Sequence, residues 1–160
     1  MYQNVRSRVK HNNNLSDSFE CYIGVRQGEC LSPFLFSMFV NDLEECFINN
    51  GAKGIDIDML KMFLILYADD IVIFAKNASD LQHNLNIYTI IALNVNISKT
   101  KVMVFRKAGR LPNDICFIYD GKQIDIINKF IYLGILFTTG GSFSEAQNTL
   151  AGQSLRLFTF

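Results

Sequence analysis

The sequence lacks an excess of charge of either sign. Its 160 residues include 15 Lys or Arg and 15 Asp or Glu, so the formal net charge is zero. These totals exclude a chain-wide positive field that would attract nucleic acid. The basic residues are unevenly spread, however, and no acid interrupts the run from Lys99 to Arg110. Such a run indicates either contacts with a phosphate backbone or an ordinary solvated face.

The sequence also has little that would direct it out of the cell or into a membrane. The four cysteines have no paired spacing, so neither a disulfide framework nor a zinc motif is indicated, and we expect reduced core thiols. Asn4, Arg6, Arg8 and Lys10 interrupt the first ten positions, where a signal peptide needs an apolar run. No apolar run approaches the roughly 20 residues of a membrane span. We therefore expect a nuclear or cytoplasmic protein without a membrane partner.

The apolar residues that are present are sufficient for a core, at 49% hydrophobic and 12% aromatic. Their periodicity predicts an α+β fold, with helices on one face of an antiparallel sheet. Ser32 is the expected N-cap of a helix from Phe34 to about Asn49, and Ser79 that of a helix from Asp80 to about Ala92. Extended segments are predicted at 2–10, 19–25, 62–75, 95–105, 115–119, 123–127 and 129–137, with a last helix opening near Ser142.

The most informative stretch runs from Met62 to Ala75, where two strand-length apolar runs flank Asp69 and Asp70. This pattern predicts a buried β-hairpin with both acids at or beside its turn. Two carboxylates about 5 Å apart, at an effective dielectric constant of about 20, repel each other by roughly 3 kcal/mol. The pair therefore requires water or a cation, and its oxygen ligands suit Mg²⁺. The alternative is an ordinary turn, because Asp is a common turn former.

Four segments in order carry a family resemblance that covers roughly residues 2–155. They are Gly24-Val-Arg-Gln-Gly28 with Leu31-Ser-Pro33, Tyr67-Ala-Asp-Asp70, Asn96-x-x-Lys99-Thr-Lys101 and Phe130-x-Tyr-Leu-Gly134. Together they resemble the reverse transcriptases, in particular those of non-LTR retrotransposons. A single four-residue match would be weak, whereas four matches in the correct order are specific.

The resemblance implies an RNA-directed DNA polymerase whose partners are an RNA template, a DNA primer and deoxynucleotides. It makes Asp69 and Asp70 the catalytic ligands of two Mg²⁺ ions, with Asp69 the firmer ligand. The nucleotide- and template-binding residues that it implies are Gly24, Arg26, Gln27, Gly28, Tyr67, Ala68 and Lys99, and the primer-binding residues are Tyr132, Leu133 and Gly134. Without the resemblance, these segments would pass for a strand-to-helix connection, a solvated lysine and the end of a buried strand.

The resemblance also predicts the domain organisation. Residues 1–139 match the palm, and residues 140–160 match the start of a thumb-like helical segment. The family needs a further catalytic Asp on an earlier strand, and Asp17 lies in a polar loop that does not fit this role. We therefore expect a palm-type sheet incomplete at both ends, whose fingers and remaining thumb belong to a longer polyprotein, and an isolated chain that is inactive. The alternatives are a non-catalytic relic that binds nucleic acid, and an apolar fragment that cannot close its core.

Overall fold

The computed structural model describes residues 5–21, 24–25, 28–91, 95–107, 109–112 and 114–157, with side chains described as far as Ala151. The helices of this part of the chain are α1 (Ser32–Val40), α2 (Leu43–Asn49), α3 (Ala78–Ile90) and α4 (Ser144–Leu157). Its strands are β1 (Val5–Ser7), β2 (Lys10–His11), β3 (Asn14–Leu15), β4 (Phe19–Cys21), β5 (Ile55–Ile57), β6 (Leu60–Met62), β7 (Leu64–Tyr67), β8 (Asp70–Ile73), β9 (Lys101–Met103), β10 (Phe117–Tyr119), β11 (Lys122–Ile127), β12 (Lys129–Tyr132) and β13 (Ile135–Thr138).

The predicted α+β class is confirmed. Antiparallel pairing joins β1 to β4, β2 to β3, β5 to β6, β10 to β11 and β12 to β13. A parallel pair joins β9 to β11, so the order of the three-stranded sheet is β10-β11-β9. The other described strands form two-stranded sheets. Apart from β1 with β4, which enclose β2 and β3, the two-stranded sheets join consecutive strands through two-residue turns.

The chain divides into two compact units, Met1–Leu43 with Leu66–Ile71 and Glu44–Ile65 with Val72–Phe160. In the first unit, α1 begins at Ser32, so Ser32 lies inside the helix and the N-cap is Leu31, which makes no side-chain capping bond. The expected single helix to Asn49 is divided after Val40. At the division the Asn41 N–H bonds back only three residues, to the Met38 carbonyl, and the Asn41 amide donates to Asp42. Such i→i−3 bonding ends an α-helical turn.

The second unit has a core built around α3. Phe47, Phe117 and Ile124 are almost completely buried. The Tyr88 ring of α3 lies 6.1 Å from that of Phe47 and 5.8 Å from that of Tyr119, measured between centroids. Burial, together with charge repulsion from Tyr119, raises the pKa of Tyr88 to about 12. Aromatic packing therefore holds α3 against α2 and β10.

Three local predictions in this unit were wrong. The N-cap of α3 is Asn77, whose side chain accepts the Asp80 N–H at 2.9 Å, so Ser79 lies within the first turn. Of the predicted extended segment 95–105, only Lys101–Met103 is a strand. The segment 129–137 is a hairpin, because Leu133 and Gly134 have φ values of 49° and 80° and form its turn. Two consecutive positive φ values are typical of a type I′ turn.

Candidate active site

The predicted hairpin around the acids is formed by β7 and β8, which make a two-stranded sheet. Ala68 and Asp69 connect the strands, and Asp70 is the first residue of β8. Ala68 has a φ of 50°, a left-handed value that costs a residue with a Cβ roughly 1–2 kcal/mol. The turn therefore holds a strained main chain immediately before the two carboxylates.

Both carboxylates are open to solvent. Asp69 and Asp70 are exposed, and neither side chain makes a hydrogen bond or ion pair within the described part of the chain. Successive strand residues point to opposite faces, so the position of Asp69 in the turn is what allows both side chains to approach one ligand. Tyr67, which ends β7, is also 58% exposed. Exposed oxygen atoms without protein partners fit a hard cation such as Mg²⁺.

The opposite end of this hairpin is buried or partly buried, and both main-chain groups of Phe74 there are hydrogen-bonded. The Phe74 N–H, one residue beyond β8, donates to the Phe63 carbonyl at 2.8 Å. The Phe74 carbonyl accepts a bond of 3.0 Å from the amide of Asn84 on α3. Asn84 is 0% exposed, and its amide also bonds both main-chain groups of Lys53. The base of the hairpin is thus tied to α3.

Asn84 was not among the sequence-predicted site residues. A signal for it exists, because Asn84 lies three residues after Leu81, next to Leu85 and four residues before Tyr88, on the apolar stripe of α3. A polar amide on such a stripe is stable only when its hydrogen bonds are satisfied. The sequence could therefore have indicated a buried polar contact, although not its partners.

The glycine-containing segment before α1 is described only in part. Arg26 and Gln27 lie outside the described residues. Gly24 and Gly28 have φ values of 94° and 80°, and a Cβ at either position would meet no atom within 4 Å. Both glycines therefore serve the left-handed main chain and leave open space beside it. They belong to the same compact unit as Tyr67, Ala68, Asp69 and Asp70.

Lys99 lies in a turn directly before β9, in the other compact unit. Asn96 organises the turn, because its main-chain carbonyl accepts the N–H groups of Lys99 and Thr100 at 3.1 and 2.9 Å. The Asn96 side chain also accepts the Ser98 hydroxyl at 2.7 Å. The Lys99 side chain is exposed, and the described residues offer it no ion pair. It is available to a phosphate group.

Tyr132, Leu133 and Gly134 form the tip of the β12–β13 hairpin, also in the second unit. Leu133 is 50% exposed although its φ of 49° is unfavourable for a bulky side chain. Tyr132 is partly buried. At the open end of this hairpin, Lys129 of β12 forms an ion pair of 2.7 Å with Glu145 of α4. The segment is therefore an exposed turn and not the end of a buried strand.

The remaining polar and thiol groups add no second centre. The described residues contain no cluster of three or more His, Cys, Asp or Glu side chains able to hold a metal ion. All four cysteines are free, but Cys30 and Cys116 are exposed and Cys21 and Cys46 only partly buried, so the expectation of core thiols was wrong. Among the described helices, none has the length and apolar character needed to cross a membrane.

A comparison with known protein families finds a match that covers most of the chain. Residues 1–137 match the family model described as reverse transcriptase (RNA-dependent DNA polymerase). The match includes the β7–β8 hairpin with its two acids, the Gly24–Gly28 segment, Lys99 and the Leu133–Gly134 turn. It covers well over half of the chain.

Proposed function

We propose a role for the β7–β8 hairpin from the fact that this chain belongs to the reverse transcriptase (RNA-dependent DNA polymerase) family. In this proposal the hairpin carries part of the nucleotidyl-transfer site. The single observation that supports this is the state of Asp69 and Asp70, which are exposed at a strained turn and have no hydrogen-bond or ion-pair partner among the described residues. Two adjacent anionic side chains left free in this way favour a cation-binding role over a structural one.

Asp69 and Asp70 are the residues that would hold Mg²⁺. Two carboxylates are the usual protein share of such a site, since substrate phosphates supply further oxygen ligands. When bound, Mg²⁺ activates the primer 3′-hydroxyl and neutralises charge on the departing pyrophosphate. The chain's own contribution is to orient two oxygen donors, with Asp69 as the firmer ligand. A third carboxylate would have to come from another residue, as in a longer polyprotein of the non-LTR retrotransposon type.

The other motif residues take supporting roles in this proposal. Gly24, Arg26, Gln27 and Gly28 line the template and the incoming nucleotide together with Tyr67 and Ala68, and Lys99 contacts the nucleotide phosphates. The exposed Leu133–Gly134 turn, with Tyr132, contacts the primer backbone. Residues 1–139 would then form the palm, and α4 would begin a thumb-like segment over 140–160.

The test is primer extension on an RNA template with Mg²⁺, combined with Mn²⁺ binding followed by electron paramagnetic resonance. We expect the chain to bind Mn²⁺ and the Asp69→Asn variant to lose that binding. If the unsubstituted chain extends the primer and Asp69→Asn does not, the third carboxylate is present in the chain. Mn²⁺ binding that is equal in both proteins would contradict the proposal.

A second candidate function, nucleic-acid binding without catalysis, is favoured by the exposed cations of Lys99, Lys107 and Arg110. No ion pair engages these three side chains within the described residues, and no third acid joins Asp69 and Asp70 there. This candidate predicts RNA binding that weakens steeply with added salt while extension is absent. Binding that is insensitive to salt would count against it.

A further inference from the structure

Three consecutive polar side chains of α3 bond the main chain of three different segments. Gln82 accepts from the Ile118 N–H at 2.9 Å and donates to the Ile118 carbonyl at 2.8 Å. The His83 ring lies 3.2 Å from the Gly51 carbonyl oxygen. Asn84 bonds Lys53 and Phe74. Of the three, only Asn84 is buried.

Both polar atoms of the Asn84 amide have hydrogen-bond partners. Its Oδ1 accepts the Lys53 N–H at 2.8 Å, and its Nδ2 donates to the carbonyls of Lys53 at 2.9 Å and Phe74 at 3.0 Å. One donor and two acceptors surround the amide, so only one orientation of its oxygen and nitrogen satisfies all three partners. The side chain therefore has a single position in the core.

Asn84 is connected to the strand of Asp70, β8, through its hydrogen bond to Phe74. Phe74 follows directly after β8, and both of its main-chain groups are engaged, the N–H by Phe63 and the carbonyl by Asn84. Asp70 begins the same strand four residues earlier, which corresponds to about 13 Å at 3.3 Å per residue. Phe74 therefore anchors the end of β8 that is opposite to Asp70.

The second link runs through the chain that leads into β7. Asn84 holds both main-chain groups of Lys53, and the next residue is Gly54. A Cβ at Gly54 would lie 2.5 Å from the Met62 carbonyl oxygen and 3.0 Å from the Phe63 ring. The segment held by Asn84 therefore packs directly against the two residues that precede β7.

We propose that Asn84 is a positioning residue that fixes the base of the β7–β8 hairpin, the element whose turn carries Asp69 and Asp70. The contribution of the amide is geometric, since it touches neither carboxylate. Its consequence for the reaction rests on the proposed function, because only that proposal gives the two carboxylates a ligand. Its consequence for the hairpin does not, and can be measured separately.

The test compares substitutions at two positions on one helix. Asn84→Ala removes all three bonds, whereas Asn84→Asp keeps the acceptor for the Lys53 N–H and removes the two donors. Gln82→Ala is the matched control, because it also removes main-chain bonds from α3 but frees β10 instead of the hairpin. All proteins are compared under conditions in which circular dichroism shows them folded.

The first measurement is amide hydrogen exchange, read by mass spectrometry on peptides covering residues 70–75 and 117–120. We expect both Asn84 variants to exchange at least tenfold faster at 70–75 and Gln82→Ala to do so only at 117–120. The second measurement is the Mn²⁺ dissociation constant, which should rise at least threefold in the Asn84 variants and stay unchanged in Gln82→Ala.

Three results would overturn the proposal. These are unchanged exchange at 70–75 in Asn84→Asp, an equal increase at 70–75 and 117–120 in the Asn84 variants, and failure of both Asn84 variants to fold. The last two would show that the amide stabilises the whole unit instead of the hairpin. If Asp69→Asn binds Mn²⁺ as well as the unsubstituted chain, the proposed function fails, and the exchange data still decide the role of Asn84.

Discussion

The two ends of the β7–β8 hairpin are opposite in character. At the base, Phe63 and Leu64 are buried, and both main-chain groups of Phe74 have partners. At the tip, Asp69 and Asp70 are exposed, and the described residues give them no partner. The same hairpin therefore combines a base whose main-chain groups are hydrogen-bonded with a tip that is open to solvent. The base is held by hydrogen bonds to buried groups, which are stronger at low dielectric constant than in water.

The largest expected effect lies in the core that supports the base. Phe47 is 0% exposed and contacts Tyr88 of α3, so Phe47→Ala should destabilise the protein by about 4 kcal/mol through lost burial and a residual cavity. Urea denaturation measures this. Ile48→Ala is the control, because Ile48, the next residue on α2, is 52% exposed and its substitution should cost less than about 1 kcal/mol. Equal losses would mean that α2 does not face the core as described.

A smaller effect is expected where the chain approaches the base most closely. Gly54→Ala should cost about 2 kcal/mol, because its Cβ would lie 2.5 Å from the Met62 carbonyl oxygen and main-chain atoms must move. Gly140→Ala is the matched control, since its Cβ would meet nothing within 4 Å. Chemical denaturation of both variants gives the comparison. A Gly54 variant as stable as the Gly140 variant would contradict the close packing.

At the tip, a substitution should stabilise. Ala68→Gly removes a left-handed strain of roughly 1–2 kcal/mol and adds roughly 0.5–1 kcal/mol of chain entropy to the unfolded state, for a net gain of about 0.5 kcal/mol. The same change at Ala78, the first residue of α3, should destabilise by about 0.5 kcal/mol. Opposite signs in thermal unfolding would support the strained turn. A loss at both positions would rule it out.

The smallest stability effect should come from the carboxylates themselves. Asp69→Asn removes no hydrogen bond or ion pair among the described residues, so the free energy of unfolding should change by less than about 0.5 kcal/mol while Mn²⁺ binding is lost. Asp17→Asn, at another exposed position, should alter neither quantity. Calorimetry and spin-resonance titration on the same samples separate the two properties. A clear loss of stability in Asp69→Asn would mean that this side chain has a structural partner.

Several features could be predicted from local sequence. Apolar runs on both sides of two acids were enough to predict the hairpin and the place of Asp69 and Asp70 beside its turn, and the family match agrees with the family that the motifs indicated. Prediction from local patterns failed where two neighbouring residues could serve equally well as the N-cap. Asn77 and Ser79 are both good N-caps, and only the observed main-chain path selects Asn77. The turn at Leu133 was not predicted, because an apolar residue at this position continues the strand pattern.

By itself, the sequence determined the α+β class and the pairing of two carboxylates with a turn, because both depend on residues close together in the chain. It also indicated the family, because four short motifs follow one another in the correct order. The tertiary structure decided which contacts hold the base of the hairpin. Asn84 reaches Lys53 across 31 residues and Phe74 across 10, and no local periodicity carries information about such partners. The physical reason is that a buried amide must find hydrogen bonds wherever the fold brings main-chain groups to it, and only the folded chain determines which groups those are.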